Sequence, residues 1–446
     1  MKKIIETLKN IWRIEDLRVR ILITILFVAI YRFGSTVVLP GIDSNALANL
    51  HKQTEGGLMS LLDMFSGGAF SQASIFALGI MPYITASIVI QLLAVAVPYF
   101  QKLQREGESG TRKINQYTRF LTLAILTFQA PTYLINLKTQ THGSGAFLMG
   151  DGLGFMVMST IILAAGSMFV LWLGERITDK GIGNGVSVII MIGIIARLPA
   201  AFVEELTSAL SGAEGGGLIK FLVEIIALVA VMAFAILLVK AVRKVPVQYA
   251  KRIEGRKNQF GGARQYIPLK LFAANVMPII FAQAIMFIPM MLVQSLNVQS
   301  TILQQFLHND SILYNVVFVL LIVAFTYFYT AITMNPVQMA EDMKRNNGFI
   351  PGIKPGKDTA DYIDNVMSHL TLPGSLFIAA IAILPVFAQM KPFGVHQAFA
   401  HFFGGTSLLI LVGVVLDTIQ QIDSHMSVRN YDRMLNAGHT RNRSNV

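Results

Sequence analysis

Apolar residues run through this chain in long blocks separated by short polar segments. A helix rises 1.5 Å per residue, so about 20 consecutive apolar residues cross the hydrocarbon core of a bilayer. Ten blocks meet or approach that length, at residues 21–38, 75–97, 120–137, 153–173, 186–202, 218–239, 271–293, 312–334, 370–387 and 406–422. The pattern predicts ten transmembrane helices. Ahead of the first, residues 1–20 put Ile4, Ile5, Leu8, Ile11 and Trp12 on one helical face with Lys2, Lys3, Lys9 and Arg13 elsewhere, which predicts a helix lying in the membrane interface. Without the short basic, apolar and small-residue succession of a cleaved leader, the first block is expected to be retained.

The stretch before the second block breaks the pattern. Phe65, Ser66, Gly67, Gly68, Ala69, Phe70 and Ser71 are small, Gly-rich and only half apolar, yet they feed directly into a span. Non-helical backbone survives at membrane depth only where protein or a water-filled cavity receives its amide groups. A re-entrant segment over about 63–74, and a cavity around it, are expected. In the helix that follows, Ile80, Ile84, Ile88 and Gln91 recur at helical spacing, and Pro82 removes a backbone donor and favours a kink. Such a stripe is either packing or a hydrophobic constriction that stops ions by disfavouring a wetted state.

Charge fixes the orientation. Of the 36 Lys and Arg residues, 30 fall at the two ends and in 101–119, 174–185, 240–270 and 335–369, and six fall in the alternate segments. Basic residues accumulate on the cytoplasmic side. Both termini are therefore expected there, and an even number of spans follows. Five spans precede an outer loop at 203–217 and five follow it, so the halves, 21–202 and 218–422, have opposite topology, as in inverted-repeat transport proteins. Residues 423–446 form a cytoplasmic tail. Composition agrees: 54% hydrophobic, 14% charged and a mean hydropathy of +0.58 exclude a soluble class. Zero cysteines exclude disulfides and thiolate metal sites.

Two cytoplasmic segments carry more charge or shape than orientation needs. Residues 240–270 hold nine basic residues against the single acid Glu254, and alternating Val245, Val247 and Tyr249 followed by Tyr266-Ile267-Pro268 predict two short strands around a basic tip with Lys251, Arg252, Arg256, Lys257 and Arg264. A protruding basic loop suits a phosphate backbone or an acidic protein surface. In 335–369, Pro351-Gly352 and Pro355-Gly356 flank Ile353-Lys354, which predicts a shaped tip. Gly181-Ile182-Gly183-Asn184-Gly185 follows a helix and lacks the lysine of a phosphate loop, so a flexible turn is expected. Arg32, Glu224 and Asp417 are the ionisable residues picked out within the spans, too few for a proton- or ion-coupled carrier. No metal-ligand spacing of the eight histidines and no nucleophile–base motif is present, so no cofactor and no enzymatic activity are expected.

The strings DMFSGGAFSQASIFALGIMPYITASIVIQLL, REGESGTRKINQYTRF, WLGERITDKGIGNGVSVII, PLKLFAANVMPIIFA, FIPGIKPGKDTADYI and GGTSLLILVGVVLD resemble the SecY family, the channel-forming subunits of the Sec protein translocase, over nearly the whole chain. The resemblance implies an all-α polytopic fold of ten helices in two inverted halves around an hourglass pore, with a plug at the re-entrant segment. It implies a pore ring at Ile80, Ile84, Ile190, Ile280 and Ile410, and a lateral gate including Thr85, Ile88, Gln91 and Asn275, one turn from Phe272. Docking through Lys251, Arg252, Arg256, Lys257 and Lys354 to the ribosome and to the SecA ATPase is implied as well. There Lys354 replaces the usual arginine and loses its bidentate donor set. The implied partners also include SecE and SecG, secretory polypeptides with signal sequences, and anionic lipids, all at the bacterial inner membrane. A small-molecule permease with inverted repeats accounts for the spans and the broken segment but not for the oversized basic loops; a purely structural membrane protein is the weaker third reading.

Overall fold

The computed structural model describes residues 11–43, 63, 65–140, 147, 152–211, 217–249, 265–272, 276–296, 311–390 and 394–443. The chain divides into two compact units. One comprises residues 1–207, 290–299 and 413–446, and the other 208–289 and 300–412.

The first unit is built from α1 (Glu15–Thr36), α2 (Met81–Ala96), α3 (Pro98–Arg105), α4 (Glu108–Gln140), α5 (Leu153–Lys180) and most of α6 (Gly185–Ser211). The second holds α7 (Gly217–Lys240), β1 (Val242–Tyr249), β2 (Gln265–Lys270), most of α8 (Met277–Leu296), α9 (Ile312–Thr333), α10 (Pro336–Arg345), β3 (Gly348–Phe349), α11 (Lys357–Gln389) and α12 (Gln397–Ala400). The last helix, α13 (Gly405–Arg443), starts in the second unit and continues in the first from residue 413. Seven of the described helices are long and apolar enough to cross a membrane, and the bent pair α2–α3 makes an eighth. With α1 and α8 they stand at the ten expected blocks.

Helix ends differ from the apolar blocks because hydropathy marks what lipid would cover, whereas a helix continues until something stops its hydrogen bonding. Thus α4 begins twelve residues before its block, at Glu108, where Arg112 Nη2 donates to the Glu108 carboxylate at 2.8 Å. In the same way α11 starts at Lys357, inside the expected docking loop, and α6 runs to Ser211, inside the expected outer loop. Residues 423–443 of the expected tail are helical and continue α13. The boundary expected at residue 20 lies instead at Ile14, whose backbone is extended. From Glu15 the chain is already in α1, with Glu15 and Asp16 in the first turn, where the helix dipole favours acids. Residues 1–10 lie outside the described residues.

The turn at Gly181–Gly185, expected to be flexible, is held by side chains instead. The Ile182 N–H donates to Thr24 Oγ1 (3.1 Å), the Gly183 N–H to Gln421 Oε1 (2.9 Å) and the Gly185 N–H to Thr178 Oγ1 (2.8 Å). Asn184 Oδ1 accepts from the Val186 N–H at the start of α6. A Cβ on Gly185 would stand 1.9 Å from the Gly174 carbonyl oxygen, so the glycines permit a close crossing of α5 and α6.

In the second unit, β1 pairs antiparallel with β2 and with β3 in the order β2-β1-β3, in the register Val245↔Ile267 and Val247↔Gln265. The strand alternation read from sequence is real: Val245 and Val247 are buried while Lys244 and Pro246 are exposed. They join Leu269, Met343, Ile350, Ile363 and Met367 in a core of their own under α10 and the start of α11. Asn335 caps α10, its Oδ1 accepting from the Gln338 N–H at 3.2 Å. This small layer gives the 240–270 and 335–369 segments a common support.

Candidate functional site

Residues 65–80 form the re-entrant segment, and it is longer than expected. The non-helical run continues to Ile80, and α2 starts only at Met81. Gly67 (φ 67°), Gly68 (φ 94°), Ala73 (φ 46°) and Gly79 (φ 53°) are left-handed, which rules out a continuous helix. Pro82 falls in the first turn of α2, where its missing N–H costs nothing; it starts the helix rather than kinking it. The sharp bend, 102°, comes at the other end between α2 and α3, where Pro98 holds Val97 extended.

The segment satisfies its backbone partly within itself and partly from its neighbours. The Leu39 N–H donates to Ala73 O and the Ile75 N–H to Val37 O, both at 2.9 Å, making an antiparallel bridge to the chain after α1. Ser66 Oγ accepts from the Phe70 N–H, and the Asp63 carboxylate accepts from the Ser71 N–H at 2.8 Å, which closes residues 63–71 into a loop. From the spans, Tyr133 of α4 donates to Phe70 O (2.7 Å), Tyr31 of α1 to Ser66 O (3.3 Å) and Arg32 of α1 to Gly67 O (2.9 Å). Arg197 of α6 pairs with Asp63 and donates to Ser71 Oγ at 3.4 Å. A stack of rings, Tyr31 on Phe76, Phe76 on Phe169 and Phe169 on Trp172, ties the segment to α1 and α5. The loop is thus enclosed by protein, as non-helical backbone at membrane depth requires.

Asp63, Tyr31, Tyr133, Arg197 and Gly193 were missed as individual contributors. A signal for Arg197 existed, since it lies inside the 186–202 block as a second arginine beside Arg32.

The five isoleucines expected in the ring are all buried. Ile80 caps α2 and Ile84 lies one turn on, its N–H donating to Ile80 O at 3.1 Å; Ile190 is in α6 of the same unit. Ile280 in α8 and Ile410 in α13 belong to the second unit. Of the expected gate residues, Ile88 is buried, and half-buried Thr85 and Gln91 bond within α2, Thr85 Oγ1 to Met81 O and Gln91 Nε2 to Ser87 Oγ, both at 3.2 Å. Asn275 lies outside the described residues, as do Lys251, Arg252, Arg256 and Lys257. Lys354 is exposed on a tip shaped as expected: Gly352 and Gly356 have positive φ, and Thr359 Oγ1 donates to Lys354 O at 2.8 Å. Among the described residues no group of three acid or histidine side chains could hold a metal ion.

The SecY family profile matches residues 74–419. The chain belongs to the SecY family. A protein translocase subunit SecY of Streptomyces galbus is 40% identical over 435 residues, covering 95% of this chain and 98% of that one. Among solved structures, one of the SecY protein, whose plug domain stabilizes the closed state of the translocation channel and maintains a membrane seal, superposes with a TM-score of 0.61 at 18% identity, covering 91% of both chains. Sec61 in the canine ribosome-channel complex from the endoplasmic reticulum superposes at 0.61 and 16% identity, again over 91% of both. The ten-helix arrangement is that of the SecY fold, and the family decides against the permease reading.

Proposed function

We propose that this chain is the protein-conducting channel of a Sec translocase, passing unfolded secretory polypeptides across the inner membrane and releasing apolar segments sideways into lipid. The near-full-length kinship with SecY translocase subunits carries this reading. The loop at 65–71 acts as the plug. Ile80, Ile84, Ile190, Ile280 and Ile410 form the ring, because bulky apolar side chains close around a passing chain while offering ions no ligand. Thr85, Ile88, Gln91 and Asn275 border the lateral exit, which an apolar signal helix takes because lipid favours it by roughly 0.3–0.6 kcal/mol per good apolar residue. Both termini face the cytoplasm, where the 240–270 and 335–369 segments dock the ribosome or SecA, with SecE and SecG as small membrane partners and anionic lipids beneath the basic loops. The chain supplies a passage and no catalysis.

The absence of native cysteine makes the test direct. Single cysteines at Ile80, Ile190 and Ile410 are expected to cross-link to a stalled secretory chain in reconstituted vesicles, whereas cysteines at lipid-facing Ile219 and Ile312, both 80% exposed, are not. Cross-links at the lipid-facing positions alone would remove the central path.

A further inference from the structure

Two arginines from the spans reach the loop at 63–71, and Asp63 is the acid that meets one of them. Asp63 is buried, while its partner Arg197 is only 30% exposed along its side chain. The guanidinium of Arg197 touches both ends of the loop, the Asp63 carboxylate and Ser71 Oγ, and Asp63 itself accepts the Ser71 N–H. One turn earlier on α6, Gly193 lets the loop backbone approach: a Cβ there would lie 2.5 Å from Phe65 O, and one on Gly67 would lie 2.9 Å from Gly193 Cα. Gly193 and Arg197 are four residues apart on one helical face, so the same strip of α6 offers a groove for the loop backbone and a charge for its acid.

We propose that this strip of α6 is the seat of the plug, with Arg197 as its positioning residue and Asp63 as the counterion that must be given up when the plug leaves. The inference rests on the channel reading and adds to it which residues set the cost of opening. The tyrosine and Arg32 contacts are to backbone carbonyls, which water replaces at little net loss once the loop moves. Separating Asp63 from Arg197 leaves a carboxylate and a guanidinium without each other in a poorly solvated site, which is the expensive step. The pair thereby holds the closed state and sets how readily a signal sequence displaces the loop.

The test reads plug position without any substrate. Ala69 has no exposed surface, so a cysteine placed there in the full chain, reconstituted with its partner subunits, is expected to react slowly with a water-soluble maleimide. Arg197→Gln and Asp63→Asn should each raise the labelling rate at least tenfold. The double variant should label no faster than the faster single, because both remove one contact. Arg119→Gln, which breaks the exposed Arg119–Glu175 pair of the same unit, should change nothing. A second reporter at buried Ala130 of α4 guards against unfolding. If it labels in parallel with Ala69→Cys, Arg197→Lys, which keeps the charge, is compared with Arg197→Gln and should bring labelling of Ala69→Cys back close to the native rate; labelling as fast as in Arg197→Gln overturns the proposal. Unchanged labelling in both singles, or a double variant whose rate is the product of the two, overturns the proposal. Failure of the wild-type vesicles to translocate a precursor would count against the channel reading and leave the labelling result standing.

Discussion

His401 is the residue whose charge the fold controls most clearly outside the spans. It lies buried in the turn between α12 and α13, its Nε2 has no hydrogen-bond partner among the described residues, and burial lowers its pKa from 6.5 to about 4. Ser407 fixes the same turn by donating its hydroxyl to His401 O. Between pH 6.5 and 4 the unfolded chain binds a proton that the folded chain refuses. Stability from this group is therefore complete above about pH 6.5 and falls on acidification, by up to about 3 kcal/mol at one pKa unit per 1.4 kcal/mol. His401→Gln should narrow the difference in Tm between pH 7 and pH 4.5 measured by thermal unfolding in detergent. An unaltered difference would mean that His401 is protonated in the folded state. Nothing in the spacing of the eight histidines marked this one, because burial is decided by chain segments distant in sequence.

At the scale of elements, apolar block length identified spans, and alternation identified β1. Both signals are local, since one counts consecutive apolar residues and the other depends on which face each residue presents. Pro82 and Pro98 show where local reading fails. Each removes one backbone donor and each sits in the first turn of a helix, yet Pro82 follows a non-helical run with left-handed Gly79 while Pro98 follows the extended Val97 at a 102° bend between two helices. The supporting layer of the second unit carries its own prediction. Val247 is 1% exposed among Leu269, Met343, Ile350 and Ile363, so Val247→Asp buries a charge with no partner and should cost about 3 kcal/mol or more locally. Limited proteolysis should then cut within 242–270 while far-UV circular dichroism keeps its helical signal. Resistance equal to that of the native chain would show that the layer is not cooperative.

For the whole molecule, the charge asymmetry predicts that the basic segments share the cytoplasmic side, and the layer under α10 holds the bases of the 240–270 and 335–369 segments in fixed register. Docking through Lys251 and Arg252 should therefore behave as a phosphate-contact interface. Lys251→Glu with Arg252→Glu should weaken ribosome binding to vesicles more than tenfold at about 0.15 M salt and flatten its salt dependence, since each lost phosphate contact removes a slope of roughly 0.7 to 0.9 in log affinity against log salt. Unchanged affinity in sedimentation would make that charge purely topological.

The sequence alone determined the number of spans, the re-entrant break and the two paired strands, because block length, glycine content and alternation act on neighbouring residues, and its charge bias predicts their orientation. The tertiary structure decided what the break rests on. Asp63 and Arg197 are 134 positions apart, and Tyr31 and Tyr133 reach the loop from two other helices. Hydrogen bonds and ion pairs of that separation have no period to read; they exist only once helix packing has brought α1, α4 and α6 around one loop.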